Sequence, residues 1–405
     1  MDTINTQVPP LRFSEYTSVS DIWDKKKIEK VIKTITPPKK LQSDEFRKTG
    51  EYPIIDQSQK FICGYSDDFS AVINEDPNGF IVFGDHTCIL KFIDFPFIQG
   101  ADGIKIFNSN EPDSIDNRYL FQFLKSFPIE SKEYKRHFSD LKEKQLLYPK
   151  TIGEQRKIAD CLFAIDSYIS SVNDKIEQLK AHKKSLLQKL FPQNGKNVPE
   201  YRFPEFKQNN VWNIQRIKDI AEVFQGYGFP EKMQGKKEGK YPFIKVSDIS
   251  STVNKGKRLI CTSANYIDEN DLQLLKATPI PRGTIIFAKI GEAIRLRRRV
   301  ILNQDSLIDN NVAGVKANNK IVNDDFLYYI LLMTDLSKYA GGVVPAIKKS
   351  SLEDMEILLP PTICETNKIA KVLSAFDNII YAYIQMLLLL IEHKIGLEQQ
   401  LFPKS

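Results

Sequence analysis

The chain has 405 residues, 42% hydrophobic and 11% aromatic, which excludes a disordered chain and exceeds what one ordinary core needs. A net charge of +6 tolerates a nucleic-acid partner without demanding one. The five cysteines (Cys63, Cys88, Cys161, Cys261 and Cys364) are scattered and never form a C-x-x-C pair. That spacing argues against a disulfide framework or a zinc site and predicts a reducing, cytoplasmic setting. The first twenty residues are polar and contain Pro9 and Pro10, so no signal-peptide pattern opens the chain.

Residues 1–148 read as a first globule. Short β-like runs, Phe61-Ile62-Cys63, Phe80-Ile81-Val82-Phe83 and Ile104-Lys105-Ile106-Phe107, are broken by Gly, Pro, Asn and Asp, and a helix is predicted over Tyr119–Lys125. His86, in Gly84-Asp85-His86-Thr87, and Lys105 are candidates for contact with a nucleic acid. A histidine bonded within its own turn explains the first equally well.

Residues 149–194 read as a long helix. Thr151 stands three residues before Glu154, a capping-box pattern, and Phe191-Pro192 ends the run because proline cannot continue a helix. Apolar residues recur in steps of four and three, including Leu162, Ile165, Ile169, Ile176 and Leu179, as in a coiled-coil seam. A helix of roughly 39 residues is about 58 Å long. Lys183 falls on the seam, where a polar residue either fixes register or snorkels at the edge.

Residues 195–358 read as a second α+β globule. Its β-like runs include Pro242-Phe243-Ile244-Lys245-Val246 and Ile285-Ile286-Phe287-Ala288-Lys289, with a helix over Asp325–Met333. Basic side chains concentrate between these runs: Arg295, Arg297, Arg298 and Arg299 form the densest group. Lys255, Lys257 and Arg258 flank Gly256, and Lys236 and Lys237 follow Gly235. With Lys245, Lys289 and Tyr227 these are the candidate DNA contacts. Arginine bonds guanine O6 and N7 with two donors, whereas lysine mostly neutralises phosphate. Each such cluster alone is also what a solvated surface looks like.

Residues 359–405 repeat the helix, with Leu373, Phe376, Ile380, Leu387 and Leu390 on its seam and Lys394 in place of Lys183. The run Met386–Ile391 is apolar nearly all round, which predicts a further surface that docks another protein; a run that faces its own globule is the alternative. The apolar run from Ile379 to Ile391 is too short to span a membrane, which needs roughly 20 residues.

The chain is written twice. At a shift of 211, Tyr148–Asn194 lies over Leu359–Ser405 without a gap, matching Thr151/Thr362, Glu154/Glu365, Asp166/Asp377, Lys183/Lys394 and Leu190-Phe191-Pro192/Leu401-Phe402-Pro403. At a shift of 190, Val8-Pro9…Arg12-Phe13…Glu15 matches Val198-Pro199…Arg202-Phe203…Glu205. Trp23 answers Trp212, and Gly79–Phe83 answers Gly283–Phe287 at a shift of 204. The expected architecture is two globules joined by two long antiparallel coiled-coil helices, with the globules free to differ inside a shared plan.

Catalytic motifs are missing. No G-x-x-x-x-G-K-[ST] loop occurs, since Gly195-Lys196, Gly239-Lys240 and Gly256-Lys257 lack the next Ser or Thr. There is no H-E-x-x-H, no glycine-rich dinucleotide turn, and neither Pro-Pro pair (Pro37-Pro38, Pro360-Pro361) fits an adenine-methyltransferase motif. A reader without a catalytic centre, cofactor site or metal site is expected.

On these features the chain resembles the specificity subunits of type I restriction–modification enzymes. Gly226-Tyr227-Gly228-Phe229 looks like the start of that family's target-recognition domain, and Gly283–Gly291 like its central strand and turn. Ser351–Pro361 looks like its lead-in to the helix, and Glu154–Ala159 like the helix opening, from which Thr366-Asn367 departs. The resemblance implies target-recognition domains at 1–148 and 195–358 and spacer helices at 149–194 and 359–405. It implies that each globule reads half of a split, asymmetric duplex site. Two methyltransferase subunits would bring S-adenosylmethionine, and restriction subunits would bring ATP and magnesium. The rival reading is a coiled-coil scaffold whose globules bind protein.

Overall fold

The computed structural model describes residues 8–17, 23–129, 136–193 and 195–402. Pro403 and the ends of the helical repeat, Asn194 and Ser405, lie outside them. Two compact units divide the chain, Met1–Ser171 with Leu388–Ser405, and Val172–Leu387. Each unit therefore takes one globule, one end of one long helix and the opposite end of the other.

In the first unit the globule is built on a four-stranded antiparallel sheet in the order Ile32–Ile35, Ile104–Ser109, Phe80–Gly84, Leu90–Ile93. Alternate residues of a strand face opposite sides, and here both sides are covered. Ile81, Phe83 and Phe107 pack towards the helix Asn117–Ser126 and the long helices. Phe80, Val82 and Ile106 pack on the other side, with Ile55, Ile73 and Phe97 from the strands of a second, mixed sheet. That double cover is why Phe80–Gly84 reads as an unbroken apolar run rather than an alternating one. Phe61-Ile62-Cys63 is not a strand; it is the loop leading into Gly64–Ser66. The ladder with Tyr52–Ile55 begins at Gly64, opposite Ile54, and Cys63 only donates its amide to the Ile54 carbonyl at 3.0 Å.

The second unit repeats the plan. Its main sheet runs Ala221–Gln225, Val312–Ala317, Ile285–Ala288, Arg299–Leu302, Leu259–Ile260, with Ile285–Ala288 in the centre. Ile285, Phe287 and Val315 face the helix Asp324–Met333, while Ile286, Val300 and Val312 face the helix Val246–Asn254. The strand expected over Pro242–Val246 runs from Tyr241 to Ile244, and Lys245 caps the helix that Val246 begins. In each unit a two-stranded ribbon feeds the long helix, Trp23–Lys27 with Gln145–Pro149 and Asn213–Arg216 with Glu356–Leu359.

The long helices are Ile152–Leu190 and Ile363–Leu401, 39 residues each. Leu162, Val172, Ile176, Ile369, Leu373 and Ile380 are buried on their seams, and Ile165, Ile169, Leu179, Phe376, Leu387 and Leu390 are half-buried. At roughly 2 kcal/mol per fully buried aliphatic side chain, these positions dominate the helix's docking energy. The seam ends do more than pair helices. Ile158, Leu162 and Leu401 enter the first globule's core, and Leu190, Ile369 and Leu373 enter the second's. Among the described residues Ile363–Leu401 is also the one helix long and apolar enough to cross a membrane by length and composition.

Two polar devices hold the helices. Arg12 grips Glu154 with two bonds of 2.8 Å, and Arg202 grips Glu365 likewise. Lys157 and Lys368 add contacts back to Glu15 and Glu205. The two sequence echoes thus explain each other: the Arg-Phe-x-Glu segment exists to seat the helix opening. The glutamates expected to close a capping box serve as the arginines' partners. The second device is on the seam, where Lys394 donates to Asp166 at 2.6 Å and Lys183 donates to Asp377. Moving seventeen residues forward on one helix moves seventeen back on the other, as antiparallel pairing requires. The seam lysines are register locks, not snorkelling edges.

Candidate nucleic-acid interface

The expected contacts sort by how the main sheet delivers them. In the first unit the strand Phe80–Gly84 ends in the turn that carries His86, which is half-buried and has interactions of its own. Asp85 donates its amide to the Gly103 carbonyl at 2.7 Å, and Lys105 follows on the adjoining strand opposite Phe83. His86 and Lys105 therefore share one end of the sheet.

In the second unit the corresponding strand, Ile285–Ala288, releases Lys289 and the arginine loop from the same end. Ile81 faces Phe92 in one sheet, and Ile285 faces Ile301 in the other. The loop is thus five residues longer in the second globule. Cys88 and Arg297, both with left-handed backbone, close the two loops at equivalent places. A side chain in that conformation is strained by about 1 kcal/mol or more, so the loop's exit is dictated by the sheet.

The arginines do not act as one group. Arg295 points to solvent, with Glu292 at 3.4 Å. Arg298 donates to Ser250 Oγ at 2.8 Å on the flanking helix. Arg297 pairs with Asp335 at 3.2 Å. Arg299, read from sequence as a loop residue, begins a strand and is 2% exposed. Its guanidinium donates to the Thr334 carbonyl at 3.1 Å, and its Nε is buried without an acceptor. Burial first, and then Arg297, pull its pKa down to about 10.

Lys257 lies over the Tyr381 ring at 5.4 Å, and Arg258 bonds Asp325. With Arg297 and Arg299 they line one cleft with Lys180, Lys183 and Lys184 of the first long helix. Sequence reasoning placed Lys183 only on the seam and passed over Lys180 and Lys184, whose sole signal is a basic run on an exposed helical face. Lys255 stands apart, exposed at the end of the helix Val246–Asn254.

A second group forms around the crossing of Gly226–Phe229 with Asp309–Asn311. A Cβ on Gly226 would sit 1.9 Å from the Asp309 carbonyl oxygen, so only glycine allows the two strands to approach. Asn310 donates its amide to the Tyr227 carbonyl, and Lys289 donates its own to that of Asn311, each at 2.9 Å. Tyr227's hydroxyl accepts from the Thr278 amide at 3.1 Å. Burial holds the Lys289 ammonium below the usual lysine range, and its Nζ bonds Gln225. Lys245 sits over Phe229 at 5.4 Å and bonds Gln234, while Lys236 is tied to Asp268. Among the described residues no group of three His, Cys, Asp or Glu is placed to hold a metal ion.

Known proteins place this arrangement. The type I restriction modification DNA specificity domain matches residues 21–181 and again 209–392. The specificity subunit of the Escherichia coli type I restriction enzyme EcoR124I/EcoR124II is 24% identical over 359 residues, covering 84% of this chain and 82% of that protein. A putative type I restriction enzyme MjaX specificity subunit of Methanocaldococcus jannaschii is 27% identical over 241 residues, 56% of this chain and 52% of that one. The crystal structure of the S subunit of a type I system from M. genitalium shares the fold, with a TM-score of 0.69 at 16% identity over 98% of this chain and 100% of that chain. With the domain matched once in each half, over most of its length, the chain belongs to the type I restriction–modification DNA specificity family and is its DNA-sequence-recognition subunit.

Proposed function

We propose that this chain reads a bipartite, asymmetric duplex site, one half with each globule, and has no catalytic centre of its own. The observation that carries the reading is the pair of loops leaving the same end of the same strand in both globules. They are built on one frame yet differ in length and chemistry, His86 and Lys105 against Lys289 and the arginines. A shared frame positions the loops, and unlike loops read unlike bases. Two methyltransferase subunits supply S-adenosylmethionine, and restriction subunits supply ATP and magnesium, in the cytoplasm. The end of the second long helix offers a docking face for such partners, since Leu388, Leu389, Ile391 and Ile395 stay 40–65% exposed.

The test is an exchange. Residues 206–356 are replaced by the matching globule of another family member, the chain is co-expressed with its methyltransferase, and methylated adenines are mapped across a genome. One half of the methylated site is expected to change while the other persists. A change in both halves, or in neither, sinks the modular reading.

A further inference from the structure

We propose that the cleft between the first long helix and the second globule, inside Val172–Leu387, seats a phosphate group of the DNA backbone. The proposal rests on the reading of the chain as a duplex binder and adds a named anion site to it. The cleft measures about 270 Å³. One wall is the helix, with Lys180, Lys183 and Lys184; the other is the globule, with Lys257, Arg258, Arg297 and Arg299.

Four carboxylates answer these seven cations: Glu177 to Lys180, Asp377 to Lys183, Asp325 to Arg258 and Asp335 to Arg297. Three positive charges remain. Arg299 is the telling one. It is buried and, among the described residues, forms no ion pair; Arg297 repels it more strongly than Asp335, which pairs with Arg297, attracts it. A guanidinium carries five N–H donors, and both Arg299 and Arg258 leave Nε buried without an acceptor. A buried charge in that state is destabilising unless an anion completes it. Tetrahedral phosphate oxygens suit donors arriving from two facing walls, and arginine bonds them in its preferred fork.

The apolar flank of Val253, Leu332, Ile380 and Ile384 keeps the local dielectric low and strengthens the attraction. Lys180 and Lys257 continue the positive charge to the exposed rim, as a chain of phosphates needs and an isolated anion does not. Among the described residues the first unit does not repeat this lining on its long helix. At the shift of 211, Lys180 and Lys184 become Ile391 and Ile395.

The test uses the complex of this chain with its methyltransferase subunits and a duplex carrying its mapped site. Lys180→Gln with Lys184→Gln changes two exposed helical positions that folding does not need, and Arg297→Gln changes the opposite wall. Lys218→Gln, a surface lysine paired with Asp354, is the control. Binding is followed from 50 to 200 mM salt, since each lost phosphate contact lowers the slope of log K against log salt by about 0.9. The cleft variants should lose about one unit of slope and bind several-fold more weakly to every sequence, with the control unchanged. Slopes equal to the parent's overturn the phosphate seat while leaving DNA reading intact. If inorganic phosphate alone raises the parent's melting temperature and not the double variant's, with slopes equal, the cleft holds a free anion and the backbone assignment is overturned. A parent complex indifferent to any duplex sinks the underlying reading itself.

Discussion

The two units meet their long helices in the same way and line that meeting differently. In the first, Gln122 of the globule's helix donates to Asp166 at 3.1 Å; in the second, Tyr329 donates to Asp377 at 2.5 Å from the equivalent turn. Around this shared contact the first unit packs Phe92, Phe121 and Phe163 with ring centroids 5.4–5.6 Å apart, and Arg118 lies over Phe163. The second has Ser374 in the place of Phe163 and Tyr328 in the place of Phe121, and opens onto arginine and lysine. The contacts that fix the helix are duplicated, with a neutral donor to the equivalent aspartate in each unit, whereas the surfaces beside them have separated into aromatic and cationic. The frame is repeated and the linings are not.

The largest expected effect falls on the duplicated part. Glu365→Ala removes the acceptor of a bidentate buried arginine and also of Trp212 Nε1, 3.3 Å away. Leaving Arg202 charged and unpaired destabilises by about 3–5 kcal/mol. Glu154→Ala makes the same deletion in the first unit, where Arg12 is slightly more exposed and Trp23 Nε1 already lacks an acceptor. Its effect should be smaller by about 1 kcal/mol, one hydrogen bond. Urea unfolding of the full chain with both tryptophans as probes measures the two losses. Equal losses would show that the Trp212 bond contributes nothing, and no loss in either would show that these arginines do not anchor the helices.

A middling effect belongs to the register locks. Burial pushes the Asp166 carboxyl up, but the hydrogen bond from Lys394 and the nearby Lys125 outweigh it and hold the pKa below the ordinary value. For Lys394 burial pulls down, and the bond to Asp166 outweighs that, holding its pKa above the ordinary value. The carboxylate's contribution is therefore complete above about pH 4 and is lost as pH falls through its depressed pKa. The ammonium's is complete below about pH 10 and is lost as pH rises through its raised pKa. Asp166→Asn should lower stability by about 2 kcal/mol at pH 7 and flatten the acid limb of the stability curve. An acid limb as steep as the parent's would mean that other carboxylates govern it. Reversing the pair is not expected to rescue it, because Lys125 and Glu398 already flank the two positions.

The shared frame was legible in the sequence and the linings were not, for physical reasons. A seam of period 3.5, Thr-x-x-Glu openings and a Phe-Pro stop are local signals, so the helices and their seams could be read directly. The register locks were half legible: Lys183 and Lys394 stood on the seam, where locking and snorkelling read alike, and only the structure pairs them with Asp377 and Asp166. Arg12 and Arg202 needed a contact over more than 140 residues, which no local pattern carries, although both ends were visible as echoes. Arg299 was misplaced because a run of arginines looks like a loop until the sheet register starts a strand inside it. Lys180 and Lys184 look like any solvated helical face, and only the globule's position turns them into a wall.

The smallest change in stability, with a large change in function, is expected where the first unit is made to resemble the second. Ile391→Lys with Ile395→Lys places the Lys180 and Lys184 chemistry on the second helix, at positions 40% and 49% exposed. Substitutions at such exposed positions usually shift stability by no more than about 0.5 kcal/mol, so the fold should persist. The apolar stripe offered to a partner would be broken by two charges that docking would have to desolvate. Co-purification with the methyltransferase should fall markedly while the urea midpoint stays put. Full capture by the double variant would place the partner on another face and leave the exposed isoleucines unexplained. A collapse of the midpoint would mean that these side chains serve the chain's own packing.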